Sequence, residues 1–77
     1  MSPQVGKLGG LKIFIHTRDH KPAHVHIEGP EVEVKIEISS WKVIYCSGLN
    51  TKSLKKLIQF LKEIENDLWE VWNEIHE

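Results

Sequence analysis

The chain has 77 residues, of which 40% are hydrophobic and 27% are charged, and its formal net charge at pH 7 is −1. This length allows one small domain with a modest core, which we expect to span residues 1–77. The composition excludes a disordered tail, and the charge near zero gives no indication of nucleic acid binding. The single cysteine, Cys46, excludes an intrachain disulfide.

The expected compartment follows from the apolar content and the cysteine content. No apolar run approaches the ~18 residues that a membrane-spanning helix needs. The first residues, Met1 to Lys7, lack the apolar core of a signal peptide. We therefore expect a protein of the reducing cytoplasm that has no membrane partner.

The first part of the chain predicts an antiparallel sheet over about residues 5–46. Four short segments alternate apolar and polar residues, which is typical of half-buried strands. Because short turns join successive segments, we expect a three- to four-stranded antiparallel meander. The predicted strands are Leu11 to His16, His24 to Glu28, Glu31 to Ile38 and Trp41 to Cys46.

The two-residue period assigns the side chains of these strands to two faces of the sheet. The aliphatic face receives Leu11, Ile13, Ile15, Val25, Ile27, Val32, Val34, Ile36 and Ile38. The opposite face receives Lys12, Phe14, His16, His24, His26, Glu28, Glu33, Lys35 and Glu37.

The last part of the chain predicts helix over about residues 51–76. Apolar residues recur every three or four positions from Leu54 to Ile75, including Trp72, which we expect in the core. Asn50 is a favourable N-cap residue. The apolar stripe would cover the aliphatic face of the sheet, which makes the predicted fold class α+β. The spacing of these apolar residues leaves open whether the helical part is one long helix or two helices with a bend near Asn66.

The charges of this helical part run against the helix macrodipole. Lysines crowd its start and acidic residues crowd its end, whereas the macrodipole favours the opposite order. Either a second helix begins near Asn66 or a partner uses this polarity. Helix N-termini attract phosphate, so Lys52, Lys55 and Lys56 are candidate phosphate-binding residues of a nucleic-acid-binding module. The alternative is an ordinary solvated face.

Three of the five histidines lie within seven positions, as His20, His24 and His26. Histidine is the commonest protein metal ligand. His24 and His26 share one face of a strand, and the intervening Lys21-Pro22 turn brings His20 back towards them. The three imidazoles would suit Zn²⁺ or another divalent transition metal, and an open coordination position would give a hydrolase or nuclease.

Two other interpretations of these histidines remain open. The imidazoles can hydrogen-bond with neighbouring acidic residues as part of a plain structural face, or they can line the interface with a partner. We define the histidine face by its candidate site residues, which also include the possible fourth metal ligands: His16, Asp19, His20, His24, His26 and Glu28.

The segment Asp19-His20-x-Pro22-x-His24-Val25-His26, with Gly9-Gly10-Leu11 before it and Trp72-Asn73 near the end, resembles a small prokaryotic family. That family is called domain of unknown function 4160, and the resemblance covers nearly the whole chain. It implies a sheet-plus-helix layout and marks the histidine motif, but it names no reaction. It also implies a small partner protein encoded beside this one, as in toxin–antitoxin-like pairs. Ala23 departs from the family pattern, in which a second proline is common.

Our leading expectation is a small cytoplasmic protein that binds a partner through the histidine face. The partner would be another small protein or a second copy of this chain. The first alternative is a metal-dependent hydrolase or nuclease, and the second is nucleic acid binding through the helix-start lysines. No enzyme activity can be assigned from the residues alone.

Overall fold

The computed structural model describes residues 4–16 and 22–76. The described residues form a five-stranded antiparallel sheet in the order β1-β2-β3-β4-β5, followed by two helices, so the α+β class is confirmed. The elements are β1 Gln4–Leu8, β2 Leu11–Phe14, β3 His24–Gly29, β4 Val32–Glu37, β5 Val43–Ser47, α1 Thr51–Glu63 and α2 Glu65–His76.

The sheet has five strands, whereas the sequence predicted three or four, because β1 was missed. Its pairing with β2 contains an irregularity between Gln4 and Gly6, which disrupts the alternation of side chains that marks a strand. Gly6 has no side chain that could contribute to the alternation of apolar and polar residues. A Cβ at this position would touch Ile64 and Ile13. The Gly9-Gly10 pair between the two strands is the hairpin signal that was available in the sequence.

The predicted division of the sheet into two faces is confirmed. Ile13, Val25, Ile27, Val34 and Ile36 are fully buried in one core cluster. Leu57, Leu61, Leu68 and Trp72 of the helices belong to the same cluster. The helices therefore pack on the aliphatic face. His16 and the two histidines of β3 lie on the other face of the sheet, which we call the open face.

The helical part consists of two helices that meet at Ile64. Asn50 caps α1 as predicted, since its side chain accepts a hydrogen bond of 2.8 Å from the backbone amide of Ser53. Ile64 leaves helical geometry, with φ −107° and ψ 20°. Because α2 begins at Glu65, its first turn contains Glu65 and Asp67, which suit the macrodipole. Neither described helix combines the length and the apolarity that a membrane crossing requires.

The turn between β3 and β4 brings two backbone segments unusually close. Glu31 has a φ of +59°, a left-handed backbone conformation that residues other than glycine rarely adopt. Gly48, with a φ of +90°, lies against this turn, and a Cβ at residue 48 would overlap the carbonyl oxygen of Glu31. Glycine is therefore required at position 48 by both its conformation and its surroundings.

Candidate functional site

The middle of the sheet positions the histidine face. Strand β3 carries His24 and His26 on the open face, and antiparallel pairing sets Phe14 beside His26 on one side and Lys35 on the other. His16 follows the end of β2, two residues beyond Phe14. The alternation of side chains along β3 and the pairing register between β2 and β3 therefore bring together three histidines that are up to ten positions apart in the chain.

The three imidazoles are in direct contact. The His16 and His26 rings meet edge to face with centroids 3.9 Å apart, and the His24 and His26 centroids are 5.1 Å apart. His26 is only 8% exposed. Half-buried strands, as the sequence predicted them, would leave this face exposed to solvent, so the burial of His26 differs from that prediction. His26 lies in the middle of the sheet, and His16 and His24 contact it there. Buried polar side-chain atoms of the described residues all have hydrogen-bond partners.

The row of rings continues beyond the sheet onto α2. The His24 ring lies 6.0 Å from Trp72, and His76 stacks on the same indole with centroids 3.7 Å apart. At the other end, Phe14 lies 6.3 Å from His16. His76 was missed by the sequence reading because it lies fifty positions from His26. We call these six residues the ring row: Phe14, His16, His26, His24, Trp72 and His76.

Hydrogen bonds to the backbone fix the protonation pattern of two of these rings. The Nδ1 atom of His24 lies 2.8 Å from the carbonyl oxygen of Pro22, and that of His76 lies 2.9 Å from the carbonyl oxygen of Trp72. Because a carbonyl only accepts, each Nδ1 must carry the proton that it donates. In the neutral rings, Nε2 then carries the lone pair.

The charges around the ring row are mixed. The Nε2 atom of His16 lies 3.5 Å from Oε2 of Glu28, an ion pair that forms when the imidazole is protonated. Beside this pair, a shallow open depression of about 440 Å³ is lined by Gly10, Lys12, Phe14, Glu28, Gly29 and Pro30. The depression continues the ring row at Phe14, so the open face offers a concave apolar and charged surface next to the imidazoles.

The other candidate residues divide into two groups. Asp19 and His20 lie outside the described residues. Within residues 4–16 and 22–76, no three His, Cys, Asp or Glu side chains form a group that would hold a metal ion. The three lysines at the start of α1, Lys52, Lys55 and Lys56, are exposed on the helices and not on the histidine face.

Comparison with known proteins gives one family. No curated protein and no solved structure matches the chain. The family model described as domain of unknown function 4160 (DUF4160) matches residues 10–73, which include strands β2 to β5, α1, most of α2 and the histidine motif. The family resemblance seen in the histidine motif is thus confirmed over most of the fold, and the chain belongs to the domain of unknown function 4160 family.

Proposed function

We propose that this chain is a small cytoplasmic partner-binding protein and that the ring row is the surface on which another small protein docks. The observation that supports this proposal is the continuous contact between six aromatic and imidazole rings, from Phe14 on the open face to His76 on α2. A row of this kind is more extensive than the packing of a core needs, because four of its members are only half-buried.

The chemistry of the row suits a protein surface. Rigid rings supply large contact areas at a small cost in side-chain entropy, and aromatic residues are enriched at protein interfaces. The charged residues beside them, Lys12, Lys35, Glu28 and Glu33, would form the polar rim of such an interface. The exposed ring of Tyr45 extends the same face, since Tyr45 pairs with Lys35.

The partner that we propose is the small protein encoded beside this one, so that the two form a toxin–antitoxin-like pair. This part of the proposal comes from the family resemblance. Protonation of the imidazoles would add positive charge to the ring row, which would make such a complex sensitive to pH. An acidic partner surface would bind more tightly as the imidazoles gain protons, and a basic one would bind less tightly.

The experiment is calorimetric titration of the full chain with the purified neighbouring gene product between about pH 5.5 and pH 7.5, the range around the reference histidine pKa. We expect the affinity to change across this range, and the double substitution His16→Gln and His24→Gln to flatten the change. The control is Lys55→Gln, an exposed position on α1. Superimposable curves for the wild type and the double variant would show that the ring row is not the docking surface.

A metal-dependent hydrolase or nuclease that uses His20, His24 and His26 is the second candidate. The hydrogen bond from Nδ1 of His24 to the Pro22 carbonyl favours it, because metal-binding histidines commonly donate one ring N–H to such a partner and bind through the other nitrogen. Its test is the removal of metal, which is argued in the Discussion.

A further inference from the structure

The two helices present a second surface on the side away from the sheet. Exposed polar residues recur there every three or four positions along both helices, opposite the apolar stripe that packs on the core. We call this surface the outer stripe, and it consists of Lys52, Lys55, Lys56, Gln59, Lys62, Glu63, Asn66, Asp67, Glu70, Asn73 and Glu74.

The outer stripe continues on the same side of both helices across the junction at Ile64. The amide of Ile64 still bonds to the carbonyl of Phe60 at 3.3 Å, and the amide of Leu68 bonds to the carbonyl of Ile64 at 3.1 Å. Both bonds have the four-residue spacing of an α-helix. The buried residues of the two helices, Leu57, Leu61, Leu68 and Trp72, also keep one helical spacing, so the exposed residues of α1 and α2 lie on the same side of the molecule.

The charges of the outer stripe are segregated by sign. The charged residues on the α1 side are lysines up to Lys62, and those from Glu63 onwards are acidic. Several neighbours at helical spacing therefore carry the same charge, such as Lys52 with Lys56 and Glu70 with Glu74. Such pairs destabilise a helix on its own.

These charges are not compensated within the described part of the molecule. The one salt bridge within residues 4–16 and 22–76 joins His16 to Glu28, far from this surface. The first turn of α1 also contains no acidic residue that would offset the unfavourable position of Lys52 beside the macrodipole. In α1 this arrangement lowers the stability of a single copy, which points to a role in association.

We propose that the outer stripe docks a second copy of this chain in antiparallel orientation. A two-fold axis at Glu63 places Lys52 opposite the partner's Glu74. It also places Lys56 opposite the partner's Glu70, and Gln59 opposite the partner's Asp67. The basic half of each copy then lies on the acidic half of the other, and the same contacts form twice, as in an isologous dimer.

The polar composition of the outer stripe determines the strength and the salt dependence of the dimer. The outer stripe holds no aromatic or aliphatic side chain, so association rests on charge and not on apolar burial. Exposed ion pairs are individually weak and are screened by salt. The dimer is therefore weak and dissociates at high ionic strength. It uses a different surface from the ring row, so it does not depend on the proposed function.

The test is sedimentation equilibrium of the full chain at about 20 mM and about 300 mM NaCl, between which the Debye length falls from roughly 20 Å to roughly 6 Å. We expect the dimer dissociation constant to rise at least ~tenfold between the two salt concentrations. The paired substitution His16→Gln and His24→Gln should leave this value unchanged, which separates the dimer from the ring row. A wild type that stays monomeric at low salt at every concentration would overturn the proposal.

Two charge-reversal variants give the sharper test. One carries Lys52→Glu and Lys56→Glu, and the other carries Glu70→Lys and Glu74→Lys; circular dichroism checks that both fold. Each alone should lose self-association, because its proposed contacts between positions 52 and 74 and between positions 56 and 70 then join like charges. An equimolar mixture should form heterodimers, since every contact again joins opposite charges. Separate variants that dimerise like the wild type, or a mixture that stays monomeric, would contradict the antiparallel pairing.

Discussion

The imidazole of His76 lies against the indole of Trp72, with ring centroids 3.7 Å apart and an angle of 21° between the planes. Trp72 is 4% exposed and belongs to the core, while His76 is half-buried at the end of α2. The stacking therefore joins the core to the surface, and it adds a histidine from α2 to the three that β2 and β3 bring together.

We predict that His76→Ala weakens docking of the partner protein more than it weakens the fold. Removing a ring from an interface commonly costs about 1 kcal/mol or more, which corresponds to an affinity loss of roughly fivefold. The free energy of unfolding should fall by less than ~1 kcal/mol, because the ring is partly exposed. Calorimetry and urea unfolding measure the two effects, with Gln59→Ala on α1 as the control. Unchanged affinity would remove His76 from the docking surface.

The buried face of the sheet gives a prediction with a matched control. Ile36 is fully buried, so Ile36→Asp places a carboxylate in the core without a partner and should cost several kcal/mol, on the order of the whole stability of a small domain. Ile44→Asp introduces the same residue at a position that is 48% exposed and should be tolerated. Circular dichroism melts compare the two. A cooperative melt for Ile36→Asp would contradict the packing of the helices on this face.

The left-handed backbone at Glu31 predicts a stabilising substitution. Its φ of +59° costs a non-glycine residue about 1 kcal/mol, and glycine adopts this conformation without that cost. Glu31→Gly should therefore raise the free energy of unfolding by roughly 0.5–1 kcal/mol. Glu33→Gly, inside β4, should lower it because glycine weakens a regular strand. Urea unfolding of the two variants should give shifts of opposite sign.

The metal hypothesis predicts a response to chelator. If His20, His24 and His26 bind Zn²⁺, the metal stabilises the folded state, and EDTA should lower the melting temperature of the purified protein. The double substitution His24→Ala and His26→Ala should abolish this sensitivity, whereas His76→Ala should retain it. Elemental analysis gives the stoichiometry. A melting curve that EDTA leaves unchanged, in a protein that contains no metal and does not bind added Zn²⁺, would reject the site.

The nucleic acid hypothesis predicts a specific dependence on salt. If Lys52, Lys55 and Lys56 contact phosphates, the logarithm of the affinity for duplex DNA should fall with the logarithm of salt concentration, with a slope of about −0.9 per contact. Replacing the three lysines with glutamine should flatten this slope. Fluorescence anisotropy with a labelled duplex measures it. Absence of binding at low salt, or a slope that the substitutions do not alter, would argue against this function.

The sequence by itself determined the class of the fold and the orientation of the sheet. The alternation of apolar and polar side chains in β4 and the neighbouring strands correctly assigned Ile36 and Val34 to the core and His24 to the opposite face. Because side chains alternate with a period of two, burial of the aliphatic side determines the face on which every other side chain of the strand lies. The cap at Asn50 was equally predictable, because it depends on a bond to a residue three positions away. The same reading missed β1, whose irregular pairing and Gly6 obscure the period.

Only the tertiary structure decided how the site is composed. The alternation of β3 placed His24 and His26 on one face, but the burial of His26 and its contact with His16 depend on the packing of neighbouring strands. The addition of Trp72 and His76 depends on where the end of α2 meets the start of β3. Local periodicity fixes the face on which a side chain lies. Its neighbours on that face are set by strand register and helix packing, which arise from contacts between residues that are distant in the chain.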